Sequence, residues 1–364
     1  MKSNLKIVTF SIIFLISVFS LTVNCTDTTG HKAPIETLNS TSPTVKRPIV
    51  GLVAMGSPVS ILKGADPLRE VKIHPKVYSA VVINVFWKDL EPEKGVYDFS
   101  SIEKILKEIE KYNKEYPKNA LSAKLRIFGG QMAPNYVKKL NGGPIRVETI
   151  RGTVEIGLFW TEEYGDRFAM LLSELAKKYD TNPLIREVCV STAASLTAEP
   201  FIAPLNKFSL PLLKEKGFTD EKFKQALRRA LEDYKVWKLT AIDFPFSILS
   251  LTDEGRGFDR EFTVKLMQDF RETFGNRVVI SNHGLNLPLT KSGELIYPAI
   301  KELGPPIAFQ TVGPNVNFEN VFNLGLEYGM TEFEVWDTKE AGGLADISYD
   351  TLKKWAEILQ GKDF

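Results

Sequence analysis

The sequence is poor in cysteine and histidine. It has two cysteines, Cys25 and Cys189, and three histidines in 364 residues. The histidines, His31, His74 and His283, lie far apart and lack the close spacing of zinc ligands, so we predict no metal site and no cofactor. Cys189 lies inside an apolar segment and has no obvious disulfide partner, so we expect a small core residue.

An excess of charge of one sign is also absent. The chain has 46 Lys and Arg against 45 Asp and Glu, for a formal net charge of +1. Lys and Glu alternate along helical stretches such as 102–116, and no basic stripe is visible. A nucleic-acid partner is therefore not expected, because it would require clustered positive charge.

The N-terminus has the pattern of an export signal. Lys2 and Lys6 precede an uncharged apolar run from Ile7 to Val23, and the junction T-V-N-C resembles a bacterial lipoprotein cleavage site. We predict a signal peptide over residues 1–24 and lipidation of Cys25, which would attach the protein to the membrane of a bacterial cell envelope. Ordinary secretion and a retained anchor helix are the alternatives.

Two further regions follow the signal. Residues 25–46 are rich in Thr, Ser, Asn and Pro and have few large apolar side chains, which predicts a disordered tether. Residues 47–364 number about 320, the size of one barrel domain, and no second linker interrupts them. We predict a single domain that is a monomer.

Short apolar runs alternate with longer amphipathic segments throughout this domain. That alternation is typical of repeated βα units on a parallel sheet. A doubly wound nucleotide-binding sheet is disfavoured, because the first predicted strand is followed by A-M-G-S-P and not by G-x-G-x-x-G. We therefore predict a (β/α)8 barrel with strands at Ile49 to Ala54, Ala80 to Phe86, Ala123 to Phe128, Ile185 to Ser191, Phe244 to Leu251, Arg277 to Ser281, Pro306 to Thr311 and Thr331 to Trp336.

Chemistry in such a barrel belongs at the C-terminal ends of the strands. Glu199 follows the fourth predicted strand, among small and apolar residues in S-T-A-A-S-L-T-A-E-P-F. A poorly solvated carboxyl group favours its protonated form, which suits a general acid acting on a glycosidic oxygen. A surface glutamate before a proline is the alternative.

The eighth predicted strand carries Glu332, Glu334 and Trp336 at a period of two, so the three share one face. Two acids pack badly against helices, so we expect this face to point into the barrel. Glu334 is then the candidate nucleophile or general base, with Trp336 as a platform for a sugar. Glu332 lies deeper and is expected to form a buried ion pair with Arg126.

Other side chains at the predicted rim have the chemistry of sugar binding. Trp87, after the second strand, is expected to offer a flat apolar surface to a sugar ring. Polar side chains near the ends of other strands could bond to sugar hydroxyls. They are Arg126, Gln131, Asn282, His283 and Gln310.

Several segments together resemble the beta-galactosidase-like glycoside hydrolases. They are W-K-D-L-E-P-E-K-G-V-Y-D-F, K-L-R-I-F-G-G-Q-M-A-P-N-Y-V, A-K-K-Y-D-T-N-P-L-I, L-T-A-E-P-F, F-Q-T and E-F-E-V-W, in that order between Val71 and Trp355.

The resemblance implies that Glu199 stands at the acid/base position, although Ala198 replaces the usual preceding Asn. It also implies that Gln310 occupies the usual nucleophile position, where an amide cannot form a glycosyl ester.

Two functions from different classes follow for this chain. In the first, it is a cell-envelope glycoside hydrolase in which Glu199 and Glu334 act on a carbohydrate substrate. In the second, it is a barrel that binds carbohydrate without cleaving it, as the amide of Gln310 would allow. A structural or host-contact lipoprotein is a third possibility, which only the signal and tether support.

Overall fold

Eight parallel strands close into a barrel in the computed structural model, which describes residues 44–56, 64–149, 152–200, 209–252, 257–311, 317–336 and 347–361. Each strand pairs with its neighbours in chain order, and the first pairs with the eighth. The predicted (β/α)8 barrel is confirmed. Its strands are Gly51–Met55, Ala80–Phe86, Ser122–Phe128, Ile185–Cys189, Ala241–Pro245, Val278–Leu285, Ile307–Thr311 and Glu332–Trp336.

Helices connect the strands and surround the barrel. The helix Ser100–Glu115 shows why such segments form: Ile102, Leu106 and Ile109 recur at helical spacing and are buried, while the Asp98 carboxylate accepts the Ser100 N–H over 2.8 Å. The described helices are Arg69–Ile73, Trp87–Leu90, Ser100–Glu115, Asn135–Lys138, Glu162–Tyr179, Ser209–Glu215, Asp220–Asp233, Arg260–Phe274, Lys291–Leu303, Phe318–Glu327 and Tyr349–Gln360.

Some elements depart from the pattern expected from the sequence. The fifth strand is Ala241–Pro245 rather than Phe244 to Leu251, because Phe246 and Ile248 are buried as loop residues and Leu249 belongs to a separate short strand, Leu249–Ser250, that pairs with Phe258–Asp259. A β-hairpin of Ile145–Thr149 and Gly152–Ile156 was not expected. Apolar burial alone therefore does not identify a strand.

The strands have two different faces. Outward side chains such as Ile83, Leu125 and Val188 join a large apolar core with the helices. Inward side chains of the first two strands include Val53, Met55 and Val82, which form a small apolar cluster. Several inward side chains of the other strands are charged, as described below. Because side chains alternate along a strand, one segment contributes to both regions.

The predictions for the N-terminus lie outside the described residues. They concern the signal peptide, nearly all of the tether and lipidation of Cys25. Within the described ranges, no helix is long and apolar enough to cross a bilayer. Cys189 is a free thiol buried inside the barrel, as expected.

Candidate active site

Four charged or polar side chains meet at the C-terminal mouth of the barrel. Arg126 points inward from the third strand and Glu334 from the eighth, while His283 projects from the sixth. Glu199 reaches them from the loop that follows the fourth strand. The sequence predicted each of these residues for the rim, and the fold brings all four together.

Arg126 and Glu334 form the deepest pair. The Nη2 atom of Arg126 donates to Glu334 Oε1 over 2.7 Å and to Oε2 over 2.8 Å. Only 1% of the Glu334 side chain is exposed. Burial alone would raise the pKa of Glu334, but the charges of Arg126 and Lys124 outweigh it and hold the pKa well below its usual range. Glu334 is therefore ionised and enclosed.

His283 lies between the two carboxylates. Its Nδ1 atom is 2.9 Å from Glu199 Oε1, and its Nε2 atom is 4.0 Å from Glu334 Oε2. Arg126 Nη2 is 3.3 Å from Nε2 and can only donate, so we assign Nε2 as an acceptor. The imidazole hydrogen is then on Nδ1, which donates it to Glu199.

Glu199 is the more accessible carboxylate, with 16% of its side chain exposed. Burial would raise its pKa, but contact with His283 and the charge of Arg126 outweigh that effect and lower the pKa of Glu199 to about 2. The expected protonated glutamate is therefore wrong for the free site. Small and apolar sequence neighbours did not reveal the imidazole that comes from a distant strand.

The loop carrying Glu199 is held by the loop after the third strand. Gly130 has a φ of 51°, and a Cβ added there would lie 2.1 Å from the carbonyl oxygen of Ser195. Glycine is thus required for this close approach. Gln131 donates from Nε2 to the Leu196 carbonyl over 2.7 Å, so its amide supports the loop.

Deeper in the barrel, Lys124 is surrounded by carboxylates. Its Nζ atom lies 2.5 Å from Glu332 and 2.9 Å from Glu334, and 3.2 Å from both Glu187 and Asp243. Burial would lower the pKa of Lys124, but the carboxylates, Asp243 first, raise it well above its usual value. The predicted inward orientation of Glu332 is confirmed.

The predicted pairing of Glu332 with Arg126 is wrong. Lys124 lies one inward position deeper than Arg126 on the same strand. Lys124 therefore pairs with the deeper Glu332, and Arg126 pairs with Glu334. Sequence reasoning missed Lys124, Glu187 and Asp243. The available signal was the presence of charged residues inside strands that are otherwise mostly apolar.

Gln310 and Trp336 lie beside this pair. Gln310 is the register partner of Glu334 on the seventh strand. With its amide oriented to suit its neighbours, its nitrogen donates to Glu334 Oε2 over 2.9 Å and its oxygen accepts from Trp336 Nε1 over 3.1 Å. Trp336 is partly exposed and packs on the small apolar cluster of the first two strands. It remains a candidate sugar platform.

Trp87 does not have the predicted role of a sugar platform. Its side chain is completely buried, and its ring packs edge-on against Tyr164 and Phe168 at centroid distances of 5.4 and 5.0 Å. Its Nε1 atom donates to the buried carboxylate of Glu91 over 3.0 Å. Trp87 begins a short helix that turns the ring under the outer helices, so no face of it reaches the mouth.

Asn282 is also a structural residue. Its Nδ2 atom donates to the Phe246 carbonyl over 2.7 Å, and its Oδ1 atom accepts from Tyr297 and from the Gly284 N–H. The amide groups that were expected to contact a sugar are thus engaged within the protein. Asn282 alternates with His283 along the strand and belongs to the outer side.

One group of potential metal ligands occurs among the described residues. Single ligand atoms of Asp243, His283 and Glu334 all lie within 4.8 Å of one another. Arg126 makes contact with both His283 and Glu334, so a cation bound there would meet a guanidinium group at short range. This placement disfavours a metal ion.

Comparisons with known proteins identify the fold. No family model matches the chain, and no curated protein matches it by sequence. Among solved structures, endo-glycoceramidase II from Rhodococcus sp. is similar over 85% of this chain and 80% of its own, with a TM-score of 0.51 and 13% identity.

Exo-beta-1,4-mannosidase Op5Man5 from Opitutaceae bacterium strain TAV5 is similar over 88% of this chain and 61% of its own, with a TM-score of 0.50 and 13% identity. The shared feature is the barrel fold. At such low identity the likeness carries no residue roles, so the function must be argued from the site.

Proposed function

We propose that the protein is a glycoside hydrolase, and that Glu199 and Glu334 are its two carboxylates. The observation that carries this proposal is that both contact His283 from opposite sides at the mouth of the barrel. Glycoside hydrolysis requires two carboxyl groups close together across the scissile bond. A mouth at the C-terminal ends of barrel strands is where such chemistry takes place.

Glu199 is the group that a substrate reaches first, and we assign it the acid/base role. Its ionised form in the free site suits activation of a water molecule. The acid half of the role requires protonation of Glu199. In the free site, contact with His283 outweighs burial and keeps the pKa of Glu199 low. A bound sugar would cover the exposed edge of the carboxylate, and this added burial would raise the pKa and favour the protonated form. Glu334, already ionised, is assigned the nucleophile or base role.

The remaining side chains of the mouth suit recognition of a sugar. Arg126 Nε and Asn84 Oδ1, which lie on neighbouring strands, are both buried and have no hydrogen-bond partner within the protein. Such atoms cost free energy until a hydroxyl group or water satisfies them. Trp336 provides a partly exposed aromatic surface at the same end.

The test is a turnover screen of the full-length chain on aryl glycosides and polysaccharides. We expect Glu199→Gln to lower kcat by about 10²- to 10⁴-fold, the usual contribution of an acid/base group. Glu334→Gln should also lower it. Glu110→Gln, on the exposed face of the helix Ser100–Glu115, is the matched control. An absence of turnover on a broad panel, or turnover that survives both substitutions, would contradict the proposal.

A carbohydrate-binding barrel without activity is the second candidate. It is favoured by the amide at Gln310 and by the enclosure of Glu334 between Arg126 and Lys124. This candidate predicts binding of a glycan that is never cleaved. Calorimetry with the same panel separates the two: binding that Trp336→Ala weakens, together with no released sugar, would favour the binding protein.

We also propose that the protein is exported and anchored to a bacterial cell envelope through lipidated Cys25. The support is the charged start, the apolar run and the T-V-N-C junction of the sequence. Metabolic labelling with a fatty acid should mark the native chain but not Cys25→Ser. Labelling of both chains, or of neither, would contradict lipidation at this residue.

A further inference from the structure

A second groove lies at the same face of the barrel as the mouth. It has a volume of about 620 Å³ and is formed by the segments that follow the second and third strands. Its polar lining includes Lys88, Lys94 and Lys139 with Asp89 and Glu93. These side chains have no part in the proposed hydrolysis.

The lysines of this groove form no close ion pairs, although Asp89 and Glu93 line the same groove. Within the described ranges, no carboxylate lies within 4.0 Å of the Nζ atoms of Lys88, Lys94 or Lys139, although many other lysines form such pairs. Lys138 adds a fourth charge beside them. Burial lowers the pKa of Lys138; attraction to Glu155 opposes this effect, and a smaller repulsion by Lys88 adds to it. The groove thus has more lysines than carboxylates, and none of these lysines forms an ion pair with a described residue.

One wall of the groove is aromatic. Tyr136 is half buried, and its hydroxyl accepts a hydrogen bond from Arg167 Nη2 over 3.2 Å. The Arg167 guanidinium is also 5.6 Å from the ring centroid and fixes the ring in place. A flat, fixed ring beside unpaired cations is suited to a sugar that carries a negative charge.

The groove is connected to the site of Glu199 by a short stretch of chain. Gln131 bonds to the Leu196 carbonyl in the loop that carries Glu199, and Pro134, three residues later, lines the groove. The two regions therefore belong to neighbouring parts of one rim. A ligand of several sugar units could occupy both.

We propose that this groove binds an anionic group, a carboxylate or a sulfate, on the glycan whose neighbouring unit occupies the mouth. The inference rests on the proposed function for the identity of the ligand as a glycan. It adds the substrate class: an acidic rather than a neutral polysaccharide. Long-range attraction between the lysines and such a ligand would also hasten its association.

Calorimetric titration of the full-length chain tests this proposal without requiring turnover. The probes are an oligosaccharide of uronic acids, its carboxyl-reduced counterpart and a sulfated oligosaccharide of similar length. We expect the double variant Lys94→Gln/Lys139→Gln to bind acidic probes about tenfold more weakly. The control Lys104→Gln/Lys111→Gln removes equal charge from the exposed face of the helix Ser100–Glu115.

The comparison of carboxylated and sulfated probes distinguishes the two sources of negative charge. Equal affinity for the uronic-acid probe and its reduced form, or equal weakening by the control variant, would overturn the inference. So would binding to vesicles of phosphatidylglycerol with none to the glycans. Hydrolysis of neutral glycans alone would support the proposed hydrolysis and contradict the anion-binding role of the groove. Specific binding of acidic glycans without cleavage would contradict hydrolysis and support the anion-binding role of the groove.

Discussion

The mouth and the interior of the barrel both hold glutamates, but they stabilise opposite forms of the side chain. At the mouth, contact with His283 and Arg126 lowers the pKa of Glu199 despite burial. In the interior, burial and the charge of Glu187 raise the pKa of Glu332 well above its usual value, although Lys124 is only 2.5 Å away. The number of carboxylates that share each cation accounts for the difference.

The interior group around Lys124, counted together with the Arg126–Glu334 pair that joins it to the mouth, has two cations for four carboxyl groups. Burial is the leading cause that raises the pKa of Glu187 as well as that of Glu332. Raised pKa values favour the neutral form of these two acids and so reduce the negative charge that the interior must hold. The mouth keeps its charge and its access to solvent. The interior group therefore stabilises the fold, whereas the mouth keeps ionised groups within reach of a ligand.

The largest effect is expected from removing the central cation. Lys124→Met leaves four buried carboxylates with one cation, and we expect it to lower the free energy of unfolding by about 3 to 5 kcal/mol. Urea denaturation measures the change. Lys104→Met, on an exposed helix face, should change it by less than about 0.5 kcal/mol. A loss below about 1 kcal/mol for Lys124→Met would show that the interior carboxyl groups are protonated when the lysine charge is absent, and that they do not need Lys124 to neutralise them.

Two tryptophans sharpen the contrast between core and mouth. Trp87→Ala should cost about 3 to 5 kcal/mol of stability, because it leaves a cavity against Tyr164 and Phe168. Trp336→Ala, at the rim, should cost less and should weaken glycan binding. Thermal unfolding and calorimetry measure the two effects. Equal losses of stability, with glycan binding weakened only by Trp87→Ala, would reverse the assignments made here.

The strands and outer helices could be predicted because each depends on the pattern of apolar residues within one short segment. The strand Ala80–Phe86 follows from its apolar run and has the predicted bounds, and the helix Ser100–Glu115 includes most of the stretch 102–116 that the sequence indicated as helical. The helix Lys291–Leu303 was missed, and it contains Pro298 within its span. Periodicity therefore succeeds where one apolar face decides the element.

The site was only partly predictable because its partners come from distant strands. The sequence placed Glu334 inward and at the mouth, but it could not show that Arg126, 208 residues away, would hold it. The same limit produced the wrong protonation state for Glu199 and the wrong partner for Glu332. Pairings across a barrel depend on register, which the pattern within one strand does not encode.

A smaller effect is expected when the contact between His283 and Glu199 is broken. The lowered pKa of Glu199 contributes stability above its unfolded value of about 4.3, and that stability is lost as pH falls toward about 2. His283→Asn should therefore be about 2 to 3 kcal/mol less stable at pH 7, with the gap closing below pH 4. Denaturation across pH measures it. A gap that is constant with pH would indicate lost packing only.

The smallest effect, and the sharpest test of the mouth, concerns Gln310. Gln310→Glu replaces the amide that donates to Glu334 with an acid, so the two repel, and we expect a loss of about 1 kcal/mol at pH 7. Repulsion by Glu334 raises the pKa of the new acid above its unfolded value of about 4.3, so the loss should shrink as pH falls toward about 4 and should be absent below it. Gln310→Leu removes the donor without adding charge, so its loss should not vary with pH in this way.

The same variant tests which carboxylate completes the site. If Glu334 is the second carboxylate, Gln310→Glu should not increase turnover, because the site already has its pair and the new charge disturbs it. Initial rates with the best substrate of the screen measure this. A gain in turnover would mean instead that the site lacks a reachable second carboxylate and that Glu334, enclosed by Arg126 and Lys124, belongs to the interior.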